Sequence, residues 1–452
     1  MKIRGKGMKR VVIWGWHWPA DIAAIQRLEA QKKIEVVMWV GRDSVCTHNL
    51  NELLHQFKLP TSSYSGAGNA VYAEVFQHYP EFLDLYSRVG FSAGRTHQEL
   101  LCIFNCYFDA WSDVLCRKKV DMVFINNIPH FGIDYLLYCV AKALKITVIM
   151  PYQSLVPERF FAVRDLDDFG WFNGTREDEN VPHQSIDSDR NQDLINRVTW
   201  TTKPPTKANT RNSAVSLIGD LYQLCFRKRS KPMSLSGIVQ KFESSLSYNK
   251  YISNLAKTEV DLSKQFVYFP LHMQPELTTS ALGGRYSDQL LALEHLSSFI
   301  PDDWYIYAKE NPKQTRRQRE ELFYTRLQRI PKVVYISPVV DTHILTAHAR
   351  FVASINGTVG WEAIQYGKPA LVFGKAWYRS LPGVFEYSEA LKLSDLLECT
   401  IDKTDLEKSY NYLMRKTYRG VSDPVYSVLV NDYTIENNSK LIEEFFLNML
   451  EC

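Results

Sequence analysis

Short apolar runs alternate with longer stretches whose apolar residues fall at helical spacing, first over residues 9–152 and again beyond residue 263. The run KRVVIW at 9–14 reads as a buried strand, GWHWP after it as an aromatic turn, and Asp21 to Leu28 as an amphipathic helix. Further strands are predicted at 34–41 (IEVVMWVG), 120–127 (VDMVFINN) and 146–152 (ITVIMPY), with helical patterns at 97–118 and 131–145 between them. Strands that alternate with helices predict a parallel, doubly wound α/β sheet, because a parallel pairing needs a crossover and the crossovers cover both faces.

Past residue 170 the periodicity gives way to polar stretches rich in Asn, Asp and Pro, such as NGTREDENVPHQSIDSDRNQD and TTKPPTKANTRNS. LIGDLYQLCF at 217–226 is the one helix-like segment there. Alternation resumes with strands at 265–271, 304–310, 332–337, 350–355 and 369–374 and helices at 287–300, 319–330, 341–348 and 360–366, before helical segments at 404–417 and 435–450. The expected organisation is a Rossmann-like domain at 1–170, an irregular or helical connector at 171–262, a second Rossmann-like domain at 263–400, and C-terminal helices at 401–452 packing back on the cleft. Two such halves facing a central cleft would place ligands between them.

A length of 452 residues exceeds what one core usually organises and supports the division in two. The net charge of +3, from 53 basic and 50 acidic residues, gives no field that would favour nucleic acid. Val11 to Trp14 is too short for the core of a secretory signal, and no run approaches the roughly 18 apolar residues of a membrane helix. A cytoplasmic protein is expected, with peripheral contact to the inner membrane as an option through the basic run RKRSKP at 227–232, for which a solvated loop is the preferred reading. The eight cysteines show no CxxC pair and are read as reduced thiols; Cys102 and Cys106 share a helical face without a nearby His.

The stretch RFVASINGTVGWEAIQYGKPALVFG is the most informative. A strand ends at Ser354 and Asn356, a Gly357-Thr358 turn follows, and a helix starts near Val359 with Glu362 in its first turn. Such a turn can cradle a phosphate, or it can simply cap a helix. Two neighbouring strand ends carry His272, Gln274 and Glu276 in FPLHMQPELTTS, and Lys309, Glu310, Asn311 and Pro312 in YAKENPKQ. On a parallel sheet all three segments emerge at the carboxyl edge, so their polar groups converge.

These stretches, together with FPLHMQPELTTSALGG, WYIYAKENPKQ, INGTVGWEAIQYGKPALVFGKAWYRSLPGVF and more loosely INNIPHFGIDYLLY, resemble the capsule polysaccharide biosynthesis family, which includes bacterial capsule Kdo transferases. The resemblance implies a GT-B-like glycosyltransferase using a CMP-activated sugar without a catalytic metal or other cofactor. It implies that the segments at 309–312 and 354–358 hold the nucleotide and its phosphate. Where the family commonly has His-Pro after Lys-Glu, this chain has Asn311-Pro312. An amide can donate and accept hydrogen bonds but carries no positive charge, which leaves the donor's identity open.

Sugar transfer needs a group to take the acceptor proton or to act as nucleophile. His17 and Asp21, after the first strand, are candidates on one wall, with helix capping the alternative for Asp21; Glu276 is the candidate on the other. The Asp-x-Asp patterns at 165–167 and 187–189 could hold a divalent ion but are short. Arg316, Arg317, Arg319, Arg326 and Arg329 read as a solvated helix face or as a contact for an anionic acceptor. The expected partners are a nucleotide sugar and a saccharide or glycolipid acceptor; a sugar-nucleotide epimerase and a non-catalytic polysaccharide-binding protein are the alternatives.

Overall fold

The computed structural model describes residues 7–61, 67–88, 94–175, 177–186, 254–274, 277–312, 314, 319 and 321–451. Its first sheet contains β1 (Lys9–Trp14), β2 (Ile34–Gly41), β3 (His48–Asn49), β4 (Met122–Ile125), β5 (Thr147–Gln153) and β6 (Arg159–Val163). Side chains of β1 alternate as a strand buried on both sides requires. Val11 and Ile13 enter the core covered by the helices Pro19–Ala30 and Ile435–Glu451, while Val12 and Trp14 enter the core that includes helices His97–Arg117 and Ile133–Ala143.

The second sheet contains β7 (Phe266–Pro270), β8 (Tyr305–Lys309), β9 (Val333–Ile336), β10 (Val352–Ser354), β11 (Ala370–Val372) and β12 (Val384–Glu386). All its pairings are parallel, in the order β12-β11-β10-β7-β8-β9. This is the doubly wound order, whose direction of winding reverses between β7 and β10. The first sheet winds the same way, reversing between β1 and β4.

One edge of the first sheet departs from the parallel expectation. β6 runs antiparallel to β5, because the turn joining them is too short for a crossover, and Ser154 N–H donates to Arg159 O at 3.0 Å to close it. β13 (Thr417–Arg419) then adds antiparallel to β6, so the end of the chain returns to the first half. There Phe446 stacks on Phe124 at 4.3 Å and Phe445 on Trp16 at 6.2 Å, on the outer side of the sheet. The stretch 171–186 also stays with this half, through Arg159 to Asp178 at 3.0 Å and Gln184 N–H to Asn411 at 2.8 Å. The predicted helix at 217–226, the basic run at 227–232 and the acidic pattern at 187–189 lie outside the described residues.

The two halves meet at their carboxyl edges. Helix Tyr79–Arg88 lies over that edge of the first sheet, where His78, just before it, contacts Tyr135 in the first turn of helix Ile133–Ala143 at 3.3 Å. It packs on helix Leu277–Leu282, which follows the carboxyl end of β7. Phe82, Leu282, Trp361 and Tyr378 thus belong to one core, and the arrangement is GT-B-like. Among the described residues no helix is long and apolar enough to cross a membrane.

Phe446 is fully buried between the C-terminal helix and the first sheet. Phe446→Ala is therefore expected to cost about 3–5 kcal/mol of stability, read as a lower midpoint in urea denaturation.

Candidate functional site

Ser354 ends β10 beside the carboxyl end of β7, where the winding of the second sheet reverses. Its Oγ accepts the Gly357 N–H at 2.9 Å and lies 3.0 Å from His272 Nε2, which also accepts the Ile355 N–H at 3.3 Å. A ring nitrogen that accepts a backbone N–H carries no proton, so the Ser354 hydroxyl donates to it and the ring proton sits on Nδ1. Burial, helped by the Arg319 charge, lowers the His272 pKa to about 4 and keeps the ring neutral.

Gly357 is required by this packing. A Cβ there would stand 2.9 Å from His272 Cε1 and 3.1 Å from Ser354 Oγ. The Gly357 carbonyl accepts the buried Tyr378 hydroxyl at 2.5 Å. Thr358 is exposed and its side chain makes no cap hydrogen bond, so the capping alternative is not what the hydroxyl does. Asn356 is buried beside the turn. Glu362, in the first turn of helix Val359–Gln365, is also buried, and desolvation raises its pKa to about 7.

The segment after β8 is held from within. Glu310 accepts Arg319 Nη1 on both oxygens, at 2.7 and 2.8 Å, together with the hydroxyls of Tyr324 at 2.9 Å and Tyr335 at 3.1 Å. Its Oε1 also accepts the Asn311 N–H at 2.7 Å. Arg319 Nη2 donates to the His272 carbonyl at 2.6 Å, which ties the ends of β7 and β8 together. Arg319 is thus a buried structural cation and not part of a solvated face, whereas Arg326 is half-exposed and pairs with Asp288 and Glu294. Arg316 and Arg317 lie outside the described residues.

Gln274 is likewise engaged: its amide donates to Ser287 O, its side-chain oxygen accepts from Gln289 at 2.8 Å, and its backbone N–H donates to Gln314 at 2.9 Å. Lys309 turns to the start of helix Thr342–His348 and donates to Thr342 Oγ1 at 2.6 Å; burial lowers its pKa, opposed by Asp341. The structure therefore brings His272, Gln274, Glu310, Ser354 and Gly357 together, but as a scaffold of mutual hydrogen bonds. Glu276 lies outside the described residues. Arg319, Gln289 and Tyr378 were missed as site residues, since only long-range partners reveal them.

On the other wall, Asp21 is 4% exposed and accepts the Trp18 N–H at 3.2 Å, capping its helix beside Tyr433. Burial raises its pKa to about 7, against a smaller lowering by that hydrogen bond. His17 is half-buried, stacks on Trp18 at 5.5 Å, and has its pKa lowered by burial and by Arg42. In the acidic pattern at 165–167, Asp165 pairs with Lys142 at 2.7 Å and Asp167 pairs with Lys375. Among the described residues no three His, Cys, Asp or Glu side chains gather as a metal site.

Residues 227–417 match the family profile described as capsule polysaccharide biosynthesis protein. This part of the chain is similar to the capsule polysaccharide biosynthesis family. The capsule-family segment includes the whole second sheet, the His272–Gly357 network and Tyr378. No curated protein matches the chain. Among solved structures, the chain is similar to the beta Kdo 2,7 transferase of KpsC from Thermosulfurimonas dismutans, at 11% identity over 80% of this chain and 96% of that one, with a TM-score of 0.32. It is also similar to UDP-GlcNAc 2-epimerases from Methanocaldococcus jannaschii and Neisseria meningitidis. Each is 15% identical over 98% of this chain and all of that one, with TM-scores of 0.24 and 0.22. The overlaps are loose, and the fold rests on its own strand order.

Replacing the Glu310 carboxylate tests the scaffold. Glu310→Gln leaves the Arg319 charge buried and unpaired, and is expected to cost about 3–5 kcal/mol in denaturant unfolding. Asp21 gives a pH test. The folded protein holds the Asp21 proton more tightly than the unfolded chain, with a pKa of about 7 against 3.8, so this contribution to stability is complete below the unfolded value and lost as pH rises through about 7. Asp21→Asn removes the loss; the variant should melt higher than the parent protein at pH 8, with the gap narrowing steadily as pH falls toward 4, in thermal scans. Glu362 retains a similar slope in both.

Proposed function

We propose that this protein is a glycosyltransferase that moves a sugar from a nucleotide donor, CMP-linked by family likeness, to a surface polysaccharide or glycolipid acceptor. One observation carries the reading: the rigid Ser354–Gly357 turn, locked by His272, stands at the winding reversal of a doubly wound sheet, where such folds bind nucleotides, within the capsule-family segment.

In this reading the exposed Thr358 hydroxyl meets the donor phosphate, and Lys309 and Asn311 lie at the neighbouring strand end toward the nucleotide. The acceptor oxygen attacks the anomeric carbon while the bond from that carbon to the phosphate oxygen breaks, its electron pair leaving with the phosphate. The acceptor's proton passes to a base, for which Asp21 is the candidate, because a carboxyl with a pKa near 7 is suited to accept a proton at neutral pH. Transfer is proposed to need no metal and to take place in the cytoplasm, with peripheral contact to the inner membrane where the acceptor is a glycolipid.

Calorimetry of the full chain with CMP, UDP and GDP tests the nucleotide site. Binding of at least one is expected, with Gly357→Ala weakening it, because the added methyl pushes against His272 and Ser354. No binding of any of the three abandons the reading. Nucleotide release that depends on added acceptor separates a transferase from an epimerase, which alters the sugar nucleotide alone.

A further inference from the structure

Beside the Ser354–Gly357 turn is a second feature that the reading above does not use, a cavity of about 160 Å³ at the carboxyl end of β11. Its wall is shared with the turn: Phe373 N–H donates to Ser354 O at 2.9 Å and Gly374 N–H to Ile355 O at 2.8 Å. Three glycines line it, two of them where backbone packs against backbone. A Cβ on Gly374 would lie 2.8 Å from Leu282 O and one on Gly283 2.3 Å from Thr279 O. Gly284 sits at φ +53° with open space where its side chain would be. Over this floor stand two cations, Lys375 and Arg379.

Both cations have carboxylate partners, and the burial within each pair is unequal. The Lys375 side chain is 28% exposed against 85% for Asp167, and the Arg379 side chain 6% against 45% for Glu386. Arg379 is further fixed to the first half by its hydrogen bond to the Asp167 carbonyl. The positive groups are therefore built into the wall, while the negative ones stand in water, where such pairs contribute little. An incoming anion can displace an exposed carboxylate at small cost and gain a partly desolvated charge-assisted hydrogen bond. The volume exceeds the about 30 Å³ share of one water several-fold, which is room for a carboxylate or phosphate.

We infer that this cavity is an anion subsite, in which Lys375 and Arg379 take a carboxylate or a second phosphate of a ligand whose nucleotide part lies on the Ser354–Gly357 turn. The inference rests on the nucleotide reading above. Asp167, from the first half, occupies Lys375 until the ligand's anion replaces it, so the acidic pattern at 165–167 serves as a placeholder for substrate charge.

Calorimetry of the full chain tests this with ligands that differ by one anionic group: UMP against UDP, UDP-glucose against UDP-glucuronate, CMP against CDP, and CMP against CMP-N-acetylneuraminate. The added anion should tighten binding about tenfold, and Lys375→Ala should remove that gain while leaving UMP or CMP binding unchanged. A gain confined to the diphosphates identifies a phosphate subsite; a gain confined to glucuronate or neuraminate identifies a sugar carboxylate. Asp167→Asn breaks the same ion pair without removing the cation, and should tighten binding of the ligands that carry the extra anion. If Lys375→Ala and Asp167→Asn weaken all ligands alike, the pair only docks the two halves and the inference falls. It falls alone if nucleotides bind but neither variant changes the anion gain. If no nucleotide binds the parent protein, the nucleotide reading falls with it.

Discussion

The buried pair of Glu310 and Arg319 is the interaction on which the geometry of the second half depends. Two charges removed from water are costly unless nearly every lone pair and proton is met. Here both Glu310 oxygens receive Arg319, with two tyrosines and a backbone N–H in addition, and the guanidinium stacks on Phe323 at 4.2 Å. The remaining arm of the fork holds the His272 carbonyl. From there the order is serial, from the His272 ring to Ser354, from Ser354 to the Gly357 N–H, and from the Gly357 carbonyl to Tyr378. The same guanidinium charge helps to keep the imidazole neutral, without which its Nε2 could not accept.

Tyr378 connects this chain of contacts to the rest of the molecule. Its loop carries Lys375, Arg379 and Ser380, which hold Asp167 and Gly170 of the first half. Gly360 leaves the space that the Tyr378 hydroxyl needs, since a Cβ would come within 2.2 Å of it. The polypeptide itself returns to the first half through β13 and the C-terminal helix. Tyr378, two residues from Ala376 in the shared core, thus joins the Gly357 carbonyl to the loop that contacts the first half.

Strand positions were legible in the sequence because each buried strand carries its own apolar run, as in KRVVIW and QFVYFP. β13 was not: TYR has no pattern of its own, and only pairing with β6 makes it a strand. Strand-end logic also located His272, Ser354 and Gly357, but not their roles. Whether a polar group faces ligand or protein depends on partners far along the chain; Ser354 is 82 residues from His272, and Arg319 is 47 from it. Arg319 was misread for that reason. Its neighbouring arginines suggest a charged face, and local sequence carries no sign that this one is dehydrated.

The charges available to a donor phosphate follow from these contacts. A neutral amide stands at Asn311 where the related family commonly has imidazole, and His272, already accepting from Ser354 and Ile355, is neutral as well. Arg319 is neutralised by Glu310. Among the described residues, positive charge near the turn is offered by Lys309, whose pKa burial lowers, and by Lys375 and Arg379, whose carboxylate partners are the more exposed members of each pair. A site organised in this way would take anions through lysine and arginine rather than through histidine, and the group beside the turn that titrates near neutral pH is the buried Glu362 carboxyl rather than an imidazole.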